Sequence, residues 1–157
     1  MALRNIITQG NELLNKVSKS VTEFDDRLFS LLDDMKDTLE FANGAGLAAV
    51  QVGILRRIVV IIIDGEVIEL INPEIVKASG EQNEIEGCLS CPGIYGITKR
   101  PYRVTCKAFD RYGKPFKVTG TRLLAKAICH ELDHLDGKLF LDKVIRFLSE
   151  EELSEDN

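Results

Sequence analysis

The sequence predicts an α+β fold: antiparallel strands packed around a central metal-binding helix, with an N-terminal helix and a C-terminal helix. Three observations lead to it. Two runs rich in β-branched residues, 58–63 and 67–71, flank Asp64-Gly65, the strongest short signal for a hairpin. Apolar residues recur at helical spacing between Phe24 and Leu39. His130 and His134 stand four apart, and on a helix residues at that spacing share one face.

Taken in order, residues 5–20 carry scattered apolar positions without a sustained period and read as an irregular arm on the body. Thr22 can cap the helix that follows. Phe24, Leu28, Leu31, Leu32, Met35 and Leu39 mark it over about residues 24–42, and Asn43-Gly44 stops it. Small residues then run over 44–50 and end in the amide of Gln51. Beyond the hairpin, 74–79, 84–90, 102–109 and 115–119 read as further strands. Helix 121–135 turns Leu124, Ile128 and Leu135 to the core and stops at Gly137. A last helix over about 142–153 turns Val144, Ile145 and Leu148 inward, and the acidic stretch 150–157 frays.

The 157 residues read as one domain, 1–157, long enough to bury about two thirds of the unfolded surface in one core. At 45% hydrophobic and 29% charged, the composition is that of an ordinary globular chain. A net charge of -5, with no Lys/Arg block, argues against a dedicated nucleic-acid binder. The nearest basic groups, Arg56-Arg57 and Lys99, Arg100 and Arg103, read as solvated faces and weak docking candidates. No charged start precedes a long apolar run in 1–20, and Ile58–Ile63 is too short to span a bilayer. The expected setting is cytoplasmic, without membrane contact. There, Cys88, Cys91, Cys106 and Cys129 read as ligand or core residues rather than disulfides.

The stretch that carries chemistry is His-Glu-Leu-Asp-His at 130–134. It uses the only two histidines in the chain. Two imidazoles on one face can share a metal ion, and Glu131 beside it is placed to take a proton from an activated water. Asp133 either supports a ligand or is a solvated helix carboxylate. A catalytic site needs a third protein ligand. The metzincin pattern fails because Phe140 stands where a third histidine belongs. A thermolysin-like site would draw on Glu150, Glu151, Glu152 or Glu155, in an acidic tail with little chain left to form a cleft. The remaining donor is a cysteine. Cys88 follows Glu86-Gly87, where a strand meets a glycine and backbone can approach closely. Cys91 would make a four-ligand Cys₂His₂ site, but with a gap to His130 far longer than a finger's, and with no task for Glu131. Cys129 reads as a packing residue.

Three segments together resemble peptide deformylase: Gly-Ala-Gly-Leu-Ala-Ala-Val-Gln at 44–51, Glu-Gly-Cys-Leu-Ser at 86–90 and His-Glu-Leu-Asp-His-Leu-Asp-Gly at 130–137. Their order and separation agree, and the resemblance covers nearly the whole chain. One departure is Cys129, where the family often has glutamine. The resemblance implies hydrolysis of the N-formyl group from the formyl-methionine of new polypeptides, with Cys88, His130 and His134 as ligands. It implies one divalent ion, Fe2+ in the cell, with Zn2+, Ni2+ or Co2+ able to occupy the site. It implies Glu131 as general base, with the Gln51 amide and the Leu89 N–H stabilising the developing oxyanion. By the same resemblance Gly44 and Gly46 bring main chain close to the peptide, and Ala45, Leu89, Ala127 and the stem of Lys126 form the methionine slot. Glu86 is expected to orient its loop rather than to bond the peptide. Partners would be N-formyl-methionyl nascent chains and the ribosome near its exit tunnel. Two rival readings are a small zinc endopeptidase using the downstream glutamates and a metal-stapled binding module without activity.

Overall fold

The structure is a computed structural model that describes residues 2–155. Helix α1 spans Asp26–Ala42 and helix α2 spans Leu123–Leu135. Strands β1 (Gly46–Ala48), β2 (Ile58–Ile63), β3 (Glu66–Ser79), β6 (Arg103–Phe109) and β7 (Pro115–Thr121) form a five-stranded sheet in the order β1-β2-β3-β6-β7. Strands β4 (Gln82–Cys88), β5 (Cys91–Arg100) and β8 (Val144–Phe147) form a second sheet in the order β4-β5-β8. A short helix, α3, follows at Glu150–Glu155. Every pairing between these strands is antiparallel.

The wholly apolar run of β2 has a reason in this arrangement. Ile58 and Val60 face one way, onto Leu28, Leu32, Met35 and Leu39 of α1. Val59 and Ile61 face the other way, onto Ala125, Ile128 and Leu132 of α2. A strand covered on both faces by helices has no side that water rewards for polarity. Its hairpin turn holds Asp64 at φ 53° and Gly65 at φ 78°. Both central residues are thus left-handed, as the type I′ turn requires.

Several local expectations are corrected. Asp25 caps α1 instead of Thr22, its carboxylate accepting from the Leu28 N–H at 3.2 Å. The strands expected at 67–71 and 74–79 are one strand with a kink at Asn72 (φ 51°), whose side-chain amide bonds both the N–H and the C=O of Val21. Strand β5 was not anticipated, because Pro92, Gly93 and Gly96 dilute its alternation. The helix expected over about 142–153 is instead a 3-10 turn, strand β8 and α3. Val144 pairs with Thr98 of β5, and Ile145 is exposed rather than inward. Val144 and Ile145 are β-branched and lie beside an open sheet edge, which outweighs their helical spacing. Residues 150–155, expected to fray, form α3; 156 and 157 lie outside the described residues.

The irregular arm has a clear task. Its N–H groups at Ile7, Gln9 and Ser18 donate to the carbonyls of Gln51, Ser90 and Leu135, at 2.8 Å each. It thus crosses and ties together the three segments that the sequence singles out.

Candidate metal centre and active site

The first helical turns of α2 are apolar and bury its middle, so His130 and His134 project from a fixed rod: Ile128 and Leu135 are fully buried. The end of β4 brings Cys88 against them, its Sγ 3.3 Å from His134 Nε2. One donor atom each from Cys88, His130 and His134 lies within 4.8 Å of the others. That spacing suits one ion at ordinary metal–sulfur and metal–nitrogen distances. The chemistry of the set suits it too. Burial holds the His134 ring down to about 3, so it is the neutral imidazole that can ligate. Its Nδ1 is a buried atom without a hydrogen-bond partner among the described residues. Among the described residues, Cys91, weighed as a fourth ligand, is outside this group, and so are Glu150, Glu151 and Glu152.

Behind His130 runs a chain of buried ion pairs. Glu86 Oε2 lies 2.6 Å from His130 Nδ1, which leaves Nε2 for the site. Arg100 donates to both Glu86 oxygens, at 2.7 Å and 3.1 Å, and reaches Asp133 at 2.7 Å. The Thr98 hydroxyl donates to Glu86 at 2.8 Å. Burial alone would raise the Glu86 carboxyl, but the hydrogen bonds from His130 and Arg100 outweigh it and bring it to about 2. Two expectations change here. Glu86 supports a histidine rather than orienting its loop. Arg100, expected on a solvated face, is only 5% exposed and is not available for docking. Asp133 is the outer end of the same chain.

Glu131 is buried, with Oε2 4.0 Å from His130 Nε2 and Oε1 lacking any hydrogen-bond partner among the described residues. Burial pushes its carboxyl up to about 7, despite the pull of His130. At that value a carboxylate can both accept and return a proton near neutrality. Its seat depends on Gly46: a Cβ there would stand 2.5 Å from Glu131 Oε2. The close approach expected between Gly46 and a peptide is thus also an approach to the protein's own carboxylate. Gln51 accepts from the Ala48 N–H at 2.9 Å, and its NH₂ group reaches Ser90 Oγ at 3.0 Å and Cys88 Sγ at 3.7 Å.

Above these groups opens a cleft of about 450 Å³, which Gly44, Ala45, Gly46, Gln51, Glu86, Cys88, Leu89, Lys126, Ala127, His130 and Glu131 all line. The Lys126 ammonium is tied to the Ile85 carbonyl at 2.7 Å, so its stem is held along the wall. Sequence reasoning missed Ile85, Tyr95 and Leu123, exposed apolar residues of the same cleft. Tyr95 lies on the unanticipated β5, and Leu123 opens α2; neither stands in a motif, so no local signal marks them. Arg100 was missed for a similar reason, since its carboxylate partners lie 14 and 33 residues away.

The comparisons with known proteins point to one family. The family model described as "Polypeptide deformylase" matches residues 3–149. A relative named peptide deformylase, from Caldicellulosiruptor bescii, is 57% identical over 155 residues, covering 99% of this chain and 93% of that protein. The crystal structure of a peptide deformylase from Legionella pneumophila superposes with a TM-score of 0.89 at 46% identity, covering 98% of this chain and 90% of that one. A Met-Ala-Ser-bound class I type b peptide deformylase from Acinetobacter baumannii gives a TM-score of 0.88 at 27% identity, covering 91% of this chain and 100% of that one. Likeness on this scale, running from the N-terminal arm through the last strand, shows that the chain belongs to the polypeptide deformylase family.

Proposed function

We propose that the chain removes the N-formyl group from the N-terminal formyl-methionine of newly made polypeptides, releasing formate, with Cys88, His130 and His134 holding one divalent ion. One observation carries the reading: a buried, unpartnered carboxylate oxygen of Glu131 stands beside a sulfur and two imidazoles at the floor of an open cleft. A bound ion supplies Lewis acidity toward the formyl oxygen and toward a water. Glu131 takes one proton from that water as the hydroxyl adds to the formyl carbon. It then gives the proton to the amine nitrogen as the carbon–nitrogen bond breaks.

The charge that grows on the formyl oxygen needs donors already in place. The Gln51 amide, fixed by Ala48 and Ser90, and the backbone N–H of Leu89 supply them. Gly44 and Gly46 present main chain to an extended peptide. Ala45, Leu89, Ala127 and the Lys126 stem form the apolar slot for the methionine side chain. The Glu86–Arg100–Asp133 chain holds His130 in the tautomer that offers Nε2.

One thiolate makes the donor set softer than three imidazoles, which suits Fe2+ and exposes the site to oxidation; Zn2+, Ni2+ and Co2+ fit the same donors. The substrates are nascent chains, so the proposed setting is the cytoplasm near the ribosome. Exposed Arg56, Lys99 and Arg103 remain the docking candidates once Arg100 is removed. Among the described residues no helix is long and apolar enough to cross a membrane. With formyl-Met-Ala-Ser, the metal-loaded protein should release formate and a new primary amine in equal amounts. Absence of both, with the ion bound, would overturn the reading.

A further inference from the structure

Cys91 has no part in the reaction, yet its place is specific. It is directly opposite Cys88 in the β4–β5 pairing, across the two-residue turn Leu89-Ser90. Directly opposed residues of an antiparallel pair have Cα atoms about 4.5–5.5 Å apart, inside the range that a disulfide bridges. Residues directly opposed across an antiparallel pair carry their side chains on the same face of the sheet, so the two thiols are neighbours. The turn between them is held on both sides. Ser90 Oγ accepts from Gln51 at 3.0 Å, and the Ser90 carbonyl accepts from the Gln9 N–H at 2.8 Å.

Access to the two sulfurs differs. Cys88 lines the cleft, whereas Cys91 is 1% exposed. Cys106 and Cys129 are buried away from the cleft, in the core between α2 and the large sheet. A small oxidant therefore meets Cys88 first, with Cys91 immediately behind it.

We propose that Cys88 and Cys91 form a reversible disulfide when a hydroperoxide enters the cleft, releasing the metal ion and sparing Cys88 from irreversible oxidation. The Cys88 thiolate attacks the peroxide, forming a sulfur–oxygen bond as the oxygen–oxygen bond breaks, and the displaced hydroxide or alkoxide takes a proton from solvent and leaves as water or an alcohol. The Cys91 sulfur then attacks the Cys88 sulfur, forming the sulfur–sulfur bond and expelling hydroxide, which leaves as water with the Cys91 proton. Two electrons pass from the two sulfurs to the peroxide. The release of the ion rests on Cys88 being its ligand; the disulfide does not.

The test uses the nickel-loaded full chain, so that the oxidant acts on sulfur rather than on iron, treated with equimolar hydrogen peroxide. Trypsin yields a peptide spanning 78–99 that contains Cys88 and Cys91 and neither other cysteine. It should lose about 2 Da, two hydrogens, while nickel appears in solution, and dithiothreitol should restore both thiols and nickel binding. Cys91→Ser, and Cys91→Val should the serine variant fold poorly, should bind nickel as the wild type does. Each should instead gain about 32 Da at Cys88 under excess peroxide, irreversibly. Oxygen added to wild-type Cys88 with no loss of hydrogen overturns the disulfide while leaving the ligand reading intact. A disulfide without nickel release overturns the coupling to the ion and counts against Cys88 as ligand.

Discussion

Gly46→Ala tests how tightly Glu131, the proposed proton carrier, is seated. The new Cβ would stand 2.5 Å from Glu131 Oε2 and 2.9 Å from its Cδ and Cγ. Non-bonded heavy atoms rest about 3.5 Å apart, so the carboxylate has to retreat by about 1 Å. It has little room, since Glu131 is 4% exposed on a helix whose neighbours are packed. Gly46 does not have a positive φ, so the substitution adds a steric contact without backbone strain. A misplacement of about 1 Å at a reacting group costs about 100-fold in rate, and overpacking costs about 1–3 kcal/mol of stability. The assay is formate release from formyl-Met-Ala-Ser, with kcat and KM separated and bound metal counted. We expect kcat to fall about 100-fold with full metal content, because the three donor side chains are untouched. Gly44→Ala is the comparison. Its Cβ meets the movable end of Leu89 at 2.9 Å, and its effect should be smaller. A Gly46→Ala enzyme with full metal and near-normal kcat would refute the placement of Glu131 as the proton carrier.

Four further outcomes are expected. Glu131→Gln should retain the ion and lose about 100- to 10,000-fold in kcat, the usual worth of a general base. Cys88→Ser should lower metal content sharply in dialysed protein, as a hydroxyl is a poor substitute for a thiolate. Glu86 is nearly fully buried and drawn from 4.5 down to about 2, so its contribution, about 3 kcal/mol, is present above pH 5 and lost as pH falls toward 2. Acid unfolding of wild type should therefore steepen across that window, and Glu86→Gln, less stable at pH 7, should show a shallower loss. In air, iron-loaded protein should lose activity within a preparation while the nickel- or cobalt-loaded form keeps it; equal decay of all three would count against an iron–thiolate centre.

Legibility followed sequence distance. The hairpin at Asp64-Gly65, helix α1 and the two histidines were readable because each depends on residues within a turn or two of one another. Strands β5 and β8 were not. One has its alternation diluted by Pro92, Gly93 and Gly96, and the other is a strand only because β5 offers it an edge. Among the site residues, every position singled out for the peptide lines the cleft, yet the support for His130 was misread. Glu86 looked like a loop anchor and Arg100 like a surface charge, because their partnership exists only once β4, β5 and α2 are packed.

The chain by itself thus determined its periodic elements and the donor types available for chemistry, since hydrogen-bonding period and side-chain identity are local properties. Folding decided which groups meet: that Glu86 backs His130, that an arginine is buried between two carboxylates, and that Glu131 sits against a residue without a side chain. The physical reason is register. Successive residues along a strand point to opposite faces and pairing register sets which residues of two strands share one, so only the assembled sheets and helix settle which atoms lie within bonding distance.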